Sequence, residues 1–134
     1  MFPNDSLDLI LENTFDSTAS GTVLYVGLKG PGDSAVTDTL ASHPGWSEIT
    51  DYTGNRKVWD TGAVADQEIT NGLDPAEFSI NGDCTCAGIF ITDVATGTSG
   101  VLYEVEDFNT ENPLESGDVL EVTHAVGNAT SVGV

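Results

Sequence analysis

The sequence predicts a mainly β protein: an antiparallel β-sandwich, Ig-like or jelly-roll-like, preceded by a short N-terminal helix. Three observations predict it. Thr and Val are abundant, sixteen and thirteen of 134 residues, and branching at Cβ suits both to the pleated strand. After residue 20, apolar residues fall in alternating or continuous short runs rather than at helical spacing. Turn residues interrupt those runs at regular intervals, as in sandwich folds. The length is that of one domain, spanning 1–134.

The one helical pattern stands at the start. Pro3, Asn4, Asp5 and Ser6 supply caps, and Leu7, Ile10, Leu11 and Thr14 share a face. Asp5 and Asp8 suit the positive end of the helix dipole. Residues 5–14 therefore read as an amphipathic helix, too short to hold alone in water, whose apolar face must dock on a sheet or another subunit. Thr22-Val23-Leu24-Tyr25-Val26-Gly27-Leu28 is apolar on both faces and reads as a covered central strand. Lys29-Gly30-Pro31-Gly32-Asp33 is a loop. Residues 36–42 read as one or two helical turns, stopped by His43-Pro44-Gly45.

Strands are predicted next at 47–50, at 56–61 with Val58 and Trp59 on opposite faces, and at 76–80. In the last, Ala76, Phe78 and Ile80 point inward and Glu77 and Ser79 outward. Asn81-Gly82 is a strong hairpin signal and predicts that 76–80 pairs with 84–92, a run apolar on both faces. Turns follow at 96–100 and at Glu115-Ser116-Gly117-Asp118. They bracket a strand at 101–106, with Val101, Tyr103 and Val105 opposite Glu104 and Glu106, and lead into another at 119–126. Residues 127–134 carry no pattern and read as an edge strand or a loose tail. The expected core includes Trp59, Phe78, Phe90 and Tyr103.

The charge is unusual: 22 acidic residues against 3 basic ones, a net charge of −19. Such a surface is unsuited to nucleic acid, which demands clustered Lys and Arg, and to anionic lipid. No apolar run approaches the roughly 20 residues of a membrane helix. The N-terminus lacks the basic segment of a secretory signal and carries Asp5, Asp8 and Glu12 instead. Two Cys are too few for a disulfide scaffold.

Chemical motifs are sparse. In a strand, Cys84 and Cys86 share a face, so they form a conceivable two-thiolate metal half-site. The remaining ligands would have to be His43 or His124, at unrelated spacings, and packing as small buried residues is favoured. Neither His accompanies a nucleophile elbow, and Gly30-Pro31-Gly32-Asp33-Ser34 lacks the Lys of a phosphate-binding loop. Carboxylate pairs such as Glu104 and Glu106 read as a solvated face. Asp83, Asp93 and Asp107 lack the spacing of a calcium loop. The expectation is a protein without catalytic residues, cofactor or metal.

Arg56 and Lys57 are neighbours in one predicted strand and point to opposite faces. They read as a surface charge pair, or as a bridge to a carboxylate across a subunit interface. Most aromatics lie inside strand patterns; Trp46 and Tyr52 are exceptions. With Met1 and Phe2 at the start of the chain, these four complete the set of candidate interface residues.

One resemblance runs through 7–124. After the short helix come Thr22-Val23-Leu24-Tyr25-Val26-Gly27-Leu28, His43-Pro44-Gly45-Trp46-Ser47-Glu48-Ile49 and Tyr52-Thr53-Gly54-Asn55-Arg56-Lys57. Then follow Ala87-Gly88-Ile89-Phe90-Ile91-Thr92-Asp93, Gly100-Val101-Leu102-Tyr103 and Glu115-Ser116-Gly117-Asp118-Val119-Leu120-Glu121-Val122. This order resembles a group of small tailed-bacteriophage virion proteins, labelled as capsid decoration, head-fibre or tail-fibre-like proteins. The sequence departs from the group in its acidity and its Cys-Thr-Cys. The resemblance implies a structural protein assembled into a virion in the host cytoplasm. Its place would be the outer shell, as a decoration or cement or head-fibre protein, with the major capsid protein or other virion proteins as partners and as a homo-oligomer. A tail-fibre or receptor-binding module contacting the host surface is the alternative. The shared segments are turns and strands, so no catalytic residue is carried over.

Overall fold

The structure, a computed structural model, describes residues 22–65 and 68–127. Among them nine strands form: β1 (Tyr25–Lys29), β2 (Glu48–Ile49), β3 (Lys57–Val58), β4 (Glu68–Thr70), β5 (Ala76–Ser79), β6 (Cys84–Thr92), β7 (Leu102–Leu114), β8 (Val119–Val122) and β9 (Ala125–Gly127). All named pairings are antiparallel. A five-stranded sheet runs β2-β1-β6-β7, with β3 also on β1, and two ribbons, β4-β9 and β5-β8, accompany it. The fold is therefore mainly β. The helix predicted at 5–14 lies outside the described residues, as does 128–134 of the predicted tail; Gly127 ends β9.

Continuous apolar runs mark strands covered on both faces, and β1 and β6 are such strands. On one face Val26, Leu28, Ile89 and Ile91 join Trp59, Ile69, Phe78, Ile80, Leu120 and Val122, so the sheet and both ribbons share one core. On the other, Phe90 meets Leu40 and Trp46, with Val94, Leu102 and Val105 against them. Gly27 makes that second face possible: a Cβ there would lie 2.1 Å from the Phe90 ring. Trp59, Phe78 and Phe90 are buried as expected.

Tyr103 is not part of the core. Ile91 pairs with Glu104 and Thr92 with Leu102, so Tyr103 is the extra residue of a β-bulge. A bulged residue drops out of the two-residue alternation. Tyr103 is left 38% exposed, and Leu102 and Val105, three apart, fall on the same face beside Phe90.

The pairing predicted from Asn81-Gly82 does not form. A two-residue type I′ hairpin needs positive φ at both central positions, and Gly82 is not among the positive-φ glycines. The Ile80 amide instead donates to Asp118 O (2.8 Å) and the Asn81 amide to Asp51 O (3.0 Å). β5 consequently pairs with β8, Phe78 opposite Leu120. The turns at Gly97 and Gly117 do form, with φ of 76° and 99°, and Asp118 closes the second by accepting the Glu115 amide at 2.8 Å.

Three further expectations are corrected. Residues 36–42 contain no helix; Asp38 Oδ2 accepts the Ala35 amide (2.9 Å) and Trp46 Nε1–H (3.0 Å), closing a turn. β7 continues well past residue 106, because β6 pairs with it as far as Leu114, and Pro113 is tolerated on a strand at the end of the sheet. The strand predicted at 119–126 breaks into β8 and β9. At the break, Asn71 Nδ2–H donates to Val122 O (3.0 Å) and Asn71 Oδ1 accepts the His124 amide (2.7 Å). One buried amide side chain thus replaces the ladder.

These placements predict opposite outcomes for two aromatics. Phe90→Ala should cost about 3–5 kcal/mol, as for a fully buried ring, and Tyr103→Ala less than about 0.5 kcal/mol, as for surface positions. Denaturant unfolding of both variants measures this.

Candidate functional site

Three cations serve a chain of −19, and two of them are buried. Lys29 closes β1 and is opposite Gly88 of β6, which is opposite Asp107 of β7. Directly paired residues share a sheet face, so the lysine stem can pass over the side-chain-free Gly88. Its Nζ ends 2.8 Å from Asp107 Oδ1 and donates to Gly32 O (2.6 Å) and Gly30 O (3.2 Å). It also lies 5.7 Å from the centre of the Trp46 ring.

Arg56 makes a bidentate pair with Glu48, 2.8 and 2.7 Å, and donates to Val94 O (3.0 Å) and Gly97 O (2.8 Å). It ties the β6–β7 turn to β2. Glu48 holds its guanidinium even more firmly protonated than usual, against the opposing effect of burial.

The predicted interface residues are thereby largely taken up inside the chain. Arg56, Trp46 and Tyr52 are buried, Arg56 bridges to a carboxylate of its own chain, and Tyr52 stands edge-on to Phe78 at 4.9 Å. They had looked available because loop aromatics and a strand Arg carry no sequence mark of a covering layer. Burial, with Glu48 adding to it, pushes the Tyr52 hydroxyl up to about 12. Lys57 is half-buried; its Nζ bonds Thr53 O at 2.9 Å. Met1 and Phe2 lie outside the described residues.

The other singled-out residues are dispersed. His43 stacks on Trp46 (3.8 Å) with Nδ1 2.8 Å from Trp46 O. Cys84 and Cys86 are free thiols. Burial pushes the Cys86 thiol up to about 11, and burial followed by Asp51 raises Cys84. Asp83, Asp93 and Asp107 accept from Ser116 N, accept from Val101 N and pair with Lys29, respectively.

One constellation does assemble. Glu104 and Glu106, two apart on β7, face the same side and flank the His124 ring. Nε2 lies 3.1 Å from Glu104 Oε2, and Nδ1 lies 2.9 Å from Glu106 Oε2. The His side chain is 5% exposed, Glu104 31% and Glu106 55%. The backbone holding it is fixed: Asn71 clamps both neighbouring carbonyl and amide groups, and Trp59 Nε1–H donates to His124 O at 3.3 Å. The two Glu were readable as one face from their spacing. Their meeting with His124 was not, because it depends on the Asn71 break between β8 and β9.

Burial by itself favours the neutral ring of His124. The Glu104 carboxylate and then Glu106 outweigh it, and the net shift is upward from 6.5. A second feature of β7 is a groove of about 320 Å³ where Leu102, Tyr103, Glu104 and Val105 meet 34–36 and Asp38. Compared with known proteins, the chain matches no family model and no curated protein.

Two predictions follow from these charges. Asp107→Ala should cost more than Lys29→Met, because it leaves the buried ammonium with carbonyls alone and no counter-charge. Lys29→Met leaves only a half-exposed carboxylate and two carbonyls, and should cost about 1–3 kcal/mol; paired unfolding titrations give the order. For His124, the folded pKa lies above the unfolded value of 6.5. Its protonated form therefore contributes stability that is complete below that unfolded pKa and is lost as pH rises through the folded one. Thermal melts in EDTA from pH 5 to 9 should show this decline, and His124→Gln should flatten it.

Proposed function

We propose that the protein is a structural, non-catalytic component of a tailed-phage virion, most simply a decoration, cement or head-fibre protein on the outer shell. In this reading the five-stranded sheet and the two ribbons are the layers of an Ig-like or jelly-roll-like sandwich, and its strand edges meet other subunits. The observation that carries it is the edge of β7. This 13-residue strand ends the sheet, and among the described residues no named strand pairs with its outer side. Such an edge is a template for association. The resemblance of the chain's turn-and-strand segments to virion accessory proteins supplies the context, with the major capsid protein or other virion proteins as partners.

The same edge carries Glu104, Glu106, Asp107, Glu111 and Pro113. Acids and Pro suppress indiscriminate pairing, so a correct partner must screen whatever negative charge the intrachain pairs with Lys29 and His124 leave uncompensated. Exposed Tyr103 beside the groove favours a second reading. A ring face next to a cleft suits a host glycan, as in a tail-fibre or receptor-binding module.

Quantitative mass spectrometry of purified virions tests the assignment. A copy number comparable to that of the major shell protein is expected. A handful of copies points to the tail, and absence from particles overturns the proposal. Rebinding to stripped particles should strengthen with salt, since screening on a scale of about 10 Å at 0.1 M relieves repulsion between acidic copies. Steady weakening would instead indicate attraction to a basic patch.

A further inference from the structure

We propose that Glu104 and His124 form a binding site for a divalent transition metal of the zinc class, with Glu106 as the positioning residue behind the imidazole. The inference is independent of the virion reading. It rests on three features of the pair and its surroundings.

The first is the histidine itself. It is 5% exposed, and its Nε2 is buried with no hydrogen-bond partner although Glu104 Oε2 is only 3.1 Å away. When the ring is protonated the contact is an ion pair, though one without a well-aligned hydrogen bond. A metal ion sits off the line joining the two atoms and binds each along its own lone pair. Both atoms are acceptors when the ring is neutral with its proton on Nδ1, so the space between them favours a cation.

The second is the separation. Zinc binds nitrogen at about 2.0–2.1 Å and carboxylate oxygen at about 2.0–2.2 Å, so two neighbouring ligands lie about 2.9 Å apart at a right angle and about 3.4 Å apart at the tetrahedral angle. The observed 3.1 Å falls between these limits. The third is the support. Glu106 Oε2 stands 2.9 Å from Nδ1, where a carboxylate would fix the tautomer with its proton on that nitrogen, as in carboxylate–histidine–metal arrangements. Asn71 and Trp59 hold the histidine backbone.

Imidazole with carboxylate suits zinc and its first-row neighbours, whereas calcium and magnesium prefer all-oxygen sites. Glu104 and Glu106 are partly exposed, so the carboxylate side of the pair is open to water. The conceivable Cys84/Cys86 half-site, set aside on sequence grounds, plays no part in this constellation.

The test is calorimetric titration of the full chain, freed of metal by chelation, with zinc chloride near neutral pH. One zinc per chain should bind above the weak background of the acidic surface. Glu104→Gln should lower its affinity at least tenfold, Glu106→Gln about tenfold, and Cys84→Ala should leave it unchanged. Nitrogen-15 spectra of the wild-type histidine rings give a readout that needs no variant: zinc should move Nε2 of His124 and leave His43 in place. Zinc binding equal in wild type and Glu104→Gln, a His124 ring unmoved by zinc, or no stoichiometric site would each overturn the proposal.

Discussion

A buried ammonium must be matched by carbonyls and a carboxylate, and the environment of Lys29 meets that demand. Its partners come from three places in the chain: the loop at Gly30–Gly32, Trp46 and Asp107 on β7. Meeting the demand draws the loop after β1 back over the sheet and fixes where Trp46 lies, and Trp46 in turn roofs Phe90. Gly88 is required between Lys29 and Asp107. A Cβ there would stand 2.2 Å from Glu106 O, so any side chain would push β7 away from β6. The second apolar face of the sheet therefore depends on one cation passing over one glycine.

Arg56 repeats the device nearby, gathering Glu48 and the carbonyls of Val94 and Gly97 over the Phe90 ring. In a chain so rich in acid, these two cations are committed to intrachain work. What remains outward is overwhelmingly negative. That composition favours solubility and discourages casual pairing along β7.

Much of this architecture could be read from the sequence where local physics decides. The apolar run Cys84–Thr92 is the observed β6, and the glycines at 97 and 117 turn the chain as their neighbours suggest. Where a residue's role is set by a distant partner, the reading failed. Asn81-Gly82 has the composition of a hairpin, but Ile80 finds Asp118 and Asn81 finds Asp51. Tyr103 alternates correctly on paper, yet a bulge shifts it outward. Arg56 and Lys57 look alike in sequence, and only burial separates them. His124 sat in a predicted strand; Asn71, more than fifty positions earlier, breaks that strand and brings the ring to Glu104 and Glu106.

The central claim is that the Lys29 ammonium is enclosed and holds the loop, Trp46 and β7 together. Nitrogen-15 spectra selective for lysine ammonium groups test it most directly. Lys29 and Lys57 are the chain's only lysines, so the two signals serve as each other's control. The account predicts a Lys29 ammonium protected from exchange with water, with cross-peaks to the Trp46 ring, while Lys57 exchanges rapidly. Equal, fast exchange for both, with no contact to Trp46, would contradict it.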